Sequence, residues 1–104
     1  SVVVPLYNEE ESLPHLVEQL LHSLRPSGER FELVLVNDGS SDLTAEMLEQ
    51  LSHEVPELVA VLLRKNYGQT AAMAAGFDAA QQENEEIDVF VAIFFLKITD
   101  GVLV

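Results

Sequence analysis

Four short apolar runs alternate with three helix-patterned segments, and this order leaves few folds open to the chain. The runs are Val2-Val3-Val4, Phe31–Val36, Leu58–Leu63 and Ile87–Ile98. Between the first two, Leu13, Leu16, Val17, Leu20, Leu21 and Leu24 recur at helical spacing and make one apolar face. A second helix carries Leu43, Met47, Leu48 and Leu51, and a third, from about Gln69 to Gln82, is built mostly of small residues. Strands that alternate with helices predict an α/β fold: a mostly parallel, right-handed sheet with flanking helices. The punctuation agrees. Pro5 is expected to halt the first strand, Pro14 suits a first helical turn, and Pro26-Ser27-Gly28 ends that helix. Ser41 or Asp42 is expected to cap the second helix, and Val55-Pro56 closes it. The small residues of the third helix let it lie close on a sheet or let a ligand approach its backbone. Glu83–Glu86 reads as a solvated link.

With 104 residues, 48% of them apolar, the chain makes one globular domain, 1–104. It has no cysteine, which excludes disulfides and thiolate chemistry. Five Lys and Arg stand against 18 Asp and Glu, a net charge of -13. That balance excludes a nucleic-acid partner and a polybasic grip on anionic lipid. The longest apolar run, Val89–Leu96, is far short of the ~20 residues of a membrane helix. His15, His22 and His53 lie among polar neighbours without metal-ligand spacing and read as surface residues. Both ends fall in strand-like runs, so the chain is expected to be a piece of a longer protein. A four-stranded sheet leaves an edge open, and a homo-oligomer is the expected way to close it.

In an open parallel sheet, ligands bind outside the carboxyl ends of the strands. Two loops fall there: Pro5-Leu6-Tyr7-Asn8-Glu9-Glu10 and Asn37-Asp38-Gly39-Ser40-Ser41-Asp42. Neither is a glycine-rich dinucleotide fingerprint or a phosphate-binding loop. They offer carboxylates, an amide and an aromatic ring instead. Carboxylates accept the N–H groups that uracil and guanine present on their pairing edges, and Tyr7 can stack on a base. The pair of loops therefore suits a nucleobase and ribose better than a bare phosphate.

These residues also carry a resemblance. The stretch from Val2 to Leu13 resembles the opening of family 2 glycosyltransferases, most of all the dolichol-phosphate mannosyltransferase and polyprenyl-phosphate glycosyltransferase branch. Val36-Asn37-Asp38-Gly39-Ser40-Ser41-Asp42-Leu43-Thr44 is similar to that family's second motif, and the stretch from Arg64 to Gly76 to its third. The resemblance covers residues 1 to about 80 and implies a nucleotide-diphospho-sugar transferase fold, Rossmann-like and truncated here. By position it implies that Pro5, Tyr7 and Glu9 line the base and ribose of a UDP- or GDP-sugar. Asp38 would hydrogen-bond the base, Gly39 would keep its loop tight, Arg64 or Lys65 would reach the base or diphosphate, and Gly68 and Gln69 would shape the third loop. The implied acceptor is a polyprenyl or dolichyl phosphate, at the cytoplasmic face of a membrane.

The chain departs from the family where the metal belongs. The family carries an Asp-x-Asp pair after the fourth strand, which holds the Mg²⁺ or Mn²⁺ bridging the donor diphosphate. Here Phe94-Phe95-Leu96-Lys97 stands in its place, and Asp100, beside Gly101, reads as a turn residue. No metal ligand or catalytic base is therefore assigned, and residues 81–104 are an atypical tail. The expectation is the donor-binding portion of a glycosyltransferase; the alternative is a nucleotide-binding or self-associating α/β module without turnover.

Overall fold

The computed structural model describes residues 1–83 and short strands at 91–92, 98–99 and 102–103. The element order is β1 (Val2–Leu6), α1 (Leu13–Leu24), a 3₁₀ turn (Arg25–Ser27), β2 (Leu33–Asp38), α2 (Thr44–Glu54), β3 (Leu58–Leu63), α3 (Gln69–Glu83), β4 (Val91–Ala92), β5 (Ile98–Thr99) and β6 (Val102–Leu103). The first four strands form one sheet in the order β3-β2-β1-β4, and all of its pairings are parallel. After β3 the chain crosses to the other side of β1, which makes a topological switch point beside β1.

Alternation along the strands divides the core into two layers. Val2, Val4, Leu6, Leu33 and Leu35 pack with Leu13 and Val17 of α1 and Leu48 of α2. Val3, Val34 and Val36 face the opposite way and pack with Ala72, Met73 and Ala80 of α3. The small residues of α3 thus serve close packing on the sheet. A Cβ at Gly76 would run into the Val3 Cγ1 and lie 3.0 Å from the Val36 Cγ2.

Three expectations are corrected. Pro5 does not end the first strand: β1 runs to Leu6, with Pro5 opposite Val36. The Val2 N–H donates to the Glu32 carbonyl on the β2 side (2.9 Å). Alternation turns the position-5 nitrogen toward β4, where the described pairing ends at Val3 and Ala92. The missing proline donor therefore costs no described ladder bond. The second strand lies two residues later than expected, at Leu33–Asp38, which brings Asn37 and Asp38 into the sheet. Ile98 does not belong to the fourth strand. It pairs with Leu103 in a separate antiparallel pair, β5-β6. The rest of the expected strand, 87–90 and 93–97, and the link residues 84–86 lie outside the described residues.

Candidate functional site

The site is built from three loops at the carboxyl edge of the sheet, and two of them are clasped together. Asn8 follows β1 in the left-handed region (φ 53°), a conformation asparagine tolerates better than most residues. Its N–H donates to Ser40 Oγ (2.9 Å), and its Oδ1 accepts the Ser41 N–H (2.8 Å). One residue on, the Glu9 N–H donates to Thr44 Oγ1 (2.9 Å), and the Glu10 N–H donates to Asp42 Oδ2 (3.2 Å). Three successive main-chain donors of the first loop are thereby satisfied by side chains of the second. The Glu9 carboxylate in turn accepts the Ser12 hydroxyl (2.7 Å) at the start of α1.

The N-cap of α2 is Leu43, not Ser41 or Asp42. Asp42 still serves that end: its Oδ1 accepts the Thr44 N–H (2.9 Å) and the Thr44 hydroxyl (2.5 Å). Burial pushes the Asp42 carboxyl up. The hydrogen bonds from Thr44 and the Glu10 amide outweigh that and hold it below its usual value.

The third loop is held by Asp38, which is 3% exposed at the end of β2. Its Oδ1 accepts the Tyr67 N–H (2.8 Å), and its Oδ2 accepts the Gly68 N–H (3.1 Å). Gly39, at φ 63°, lies against the main chain of Lys65 and Asn66, so close that a Cβ would meet it. Gly68, at φ 99°, takes a turn that other residues adopt only with strain, and its carbonyl accepts the Ala72 N–H in the first turn of α3 (3.0 Å). The Lys65 Nζ sits 5.1 Å from the centre of the Tyr67 ring, within cation–π range.

Between these loops lies a cavity of about 250 Å³ lined by Pro5, Leu6, Tyr7, Glu9, Asp38, Asn66, Gly68 and Gln69. Of the residues expected from the sequence, Pro5, Tyr7, Glu9, Asp38, Gly68 and Gln69 meet there. Gly39, Arg64 and Lys65 do not line it: Gly39 packs one loop on another, and Arg64 and Lys65 are exposed just beyond β3. Tyr7 is 46% exposed, so its ring serves the cavity and not the core. Leu6 and Asn66 were missed. Leu6 looks like ordinary core and is 1% exposed, while Asn66 sits within the stretch from Arg64 to Gly76 that carries the resemblance. The clasp partners Asn8, Ser40 and Ser41 were missed too, although the polar run from Asn37 to Asp42 signalled a structured loop.

Among the described residues, the donor groups do not fit a divalent cation. Such an ion takes several oxygen or imidazole donors. Among the described residues, no three Asp, Glu or His side chains come together as a possible metal site. The segment after β4, Ile93-Phe94-Phe95-Leu96-Lys97, contains no carboxylate. Among the described residues, no helix is long and apolar enough to cross a membrane.

Comparison with known proteins places this chain in a family. The model of Glycosyl transferase family 2 matches residues 1–95. The chain is 49% identical over 81 residues to an undecaprenyl-phosphate 4-deoxy-4-formamido-L-arabinose transferase of Proteus mirabilis, which spans 77% of this chain and 25% of that protein. It is 53% identical over 81 residues to the transferase of the same name from Pectobacterium carotovorum, with the same coverage of 77% and 25%. The chain thus spans about a quarter of the length of these relatives. Among solved structures, S. aureus TarS aligns with a TM-score of 0.63 at 27% identity, covering 89% of this chain and 16% of that one.

Proposed function

Because the chain belongs to glycosyltransferase family 2, we propose that it is the donor-binding portion of an enzyme that moves a sugar from a UDP- or GDP-sugar onto a polyprenyl phosphate. The observation that carries this reading is the meeting of Tyr7, Glu9 and Asp38 in one cavity at the carboxyl ends of β1 and β2. At about 250 Å³ it is smaller than the ~300–1,000 Å³ of whole-ligand pockets, which suits the base end of a nucleotide. The Tyr7 ring stacks on the base. Asp38 gives two of its roughly four lone-pair directions to Tyr67 and Gly68 and keeps the others for a base N–H. Arg64 and Lys65, exposed just beyond β3, supply the positive charge for the diphosphate, which the acidic chain otherwise repels.

In the transfer, an oxygen of the acceptor phosphate forms a bond to the anomeric carbon as the bond from that carbon to the nucleoside diphosphate breaks. The names of the relatives support undecaprenyl phosphate or a similar lipid phosphate as the acceptor, and such an acceptor places the reaction at a membrane face, the cytoplasmic one in this reading. Self-association belongs to the same proposal: β3 is an edge of the sheet, and Leu62 on it is 46% exposed. A second reading, a nucleotide-holding module without turnover, is favoured by the carboxylate-free segment after β4.

Calorimetric titration with UDP and GDP, with and without Mg²⁺, tests the proposal. Weak binding that Mg²⁺ hardly changes, and that Asp38→Ala abolishes, is the expected result. Absence of binding by either nucleotide contradicts it.

A further inference from the structure

The donor side of the site is held in place by a residue that does not line it. Thr44 is 0% exposed at the first position of α2, and its hydroxyl stands between two partners. It donates to Asp42 Oδ1 (2.5 Å) and accepts the Glu9 N–H (2.9 Å). A hydroxyl has one hydrogen. The ionised Asp42 carboxylate can only accept, so it fixes the direction of that hydrogen and leaves the Thr44 oxygen turned toward Glu9. The same carboxylate takes the Glu10 N–H on its other oxygen (3.2 Å). Asp42 and Thr44 therefore form a relay that sets the main chain at Glu9, which lines the cavity together with Tyr7.

We infer that Thr44, oriented by Asp42, is a positioning residue that presents Glu9 and Tyr7 to the nucleotide. The inference rests on the nucleotide reading above for its ligand and on the hydrogen-bond geometry for the rest. A purely structural Thr44 would contribute to folding alone. A positioning Thr44 governs the local order of the first loop and, through it, nucleotide affinity.

Two readouts separate these cases: amide hydrogen exchange at Asn8, Glu9 and Glu10 followed by NMR, and UDP and GDP affinity by calorimetry. Thr44→Val keeps the shape and removes the hydroxyl; Thr44→Ser keeps the hydroxyl. With Thr44→Val, the Glu9 amide is expected to exchange faster and nucleotide affinity to fall about tenfold, the factor matching the loss of one such hydrogen bond. Thr44→Ser restores both. If Thr44→Val depresses folding, Asp42→Ala at the partly exposed end of the relay carries the same test: faster exchange at Glu9 and Glu10, with weaker binding. Unchanged exchange at Glu9 in the variants overturns the inference. So does faster exchange with undiminished nucleotide affinity. A chain that binds neither nucleotide before substitution overturns the nucleotide reading, and with it the role toward a ligand, while the exchange arm still decides whether Thr44 sets Glu9.

Discussion

Gly39 lies directly against the main chain of Lys65, with no space between them for a Cβ. The contact joins the loop after β2 to the loop after β3, and Asp38 next to it holds the Tyr67 and Gly68 amides. Loop packing and the Asp38 carboxylate are thus parts of one local structure. Gly39→Ala is expected to destabilise the fold by about 1–3 kcal/mol, because the φ of 63° is strained for alanine and the neighbour is backbone that cannot turn away. Urea denaturation measures the loss, and a fall below a few tenths of a kcal/mol would mean that the loops separate freely.

On the other face of the sheet, the close approach of α3 should be equally sensitive. Gly76→Ala places a methyl group against Val3 and Val36 and is expected to cost about 1–3 kcal/mol. Val3→Ala alone is also destabilising. Combined with Gly76→Ala, it should recover part of the loss, since the cavity left by one accommodates the methyl of the other. Thermal unfolding of the two single variants and the pair measures the coupling.

The fold was largely legible because its signals are local. Leu58–Leu63 was read to the residue and the apolar face from Leu13 to Leu24 marked α1, since a bounded apolar run and helical periodicity show without help from the rest of the chain. Pro5 was misread because its tolerance depends on which neighbour its nitrogen faces, a property of the pairing and not of the sequence. Part of the cavity lining was legible: Tyr7, Glu9 and Asp38 stand in or beside the loops that follow β1 and β2, whereas Gly68 and Gln69 were singled out only through the resemblance in the stretch from Arg64 to Gly76. The clasp was not, since Asn8 meets Ser41 across 33 positions of sequence and nothing in either segment names the other.

Acid should loosen the molecule at two places. Glu57 takes both nitrogens of a bidentate bond from Arg25 (2.8 and 2.9 Å), and that hydrogen bonding lowers its carboxyl to about 2. The folded value is below the unfolded one for both Glu57 and Asp42. The stability they contribute is therefore complete above the ordinary carboxylate range of about 4 and is lost as pH falls through the folded values. NMR titration should find Glu57 near 2 in the unmodified chain and in its ordinary range in Arg25→Met. Because Arg25 is half exposed, solvent screens the pair and the change in overall stability should be small.

The diphosphate proposal turns on Arg64 and Lys65. Replacing both with glutamine is expected to bring the affinity for UDP down to that for uridine and to remove most of its salt dependence. Paired titrations with nucleoside and nucleotide at low and high salt give the answer. A preference for the diphosphate that survives the double substitution would mean that other groups meet it.

If the loops after β1, β2 and β3 form one nucleotide-base site, a bound nucleotide must perturb the amides of all three, and NMR shift mapping reads this residue by residue. UDP and GDP are added in turn to the isotopically labelled 104-residue chain. Saturable shifts are expected at Tyr7, Glu9, Asp38, Gly68 and Gln69, with the back of the sheet and the far ends of α1 and α2 unmoved. Saturable shifts centred elsewhere, or no shifts with either nucleotide, would contradict the shared site.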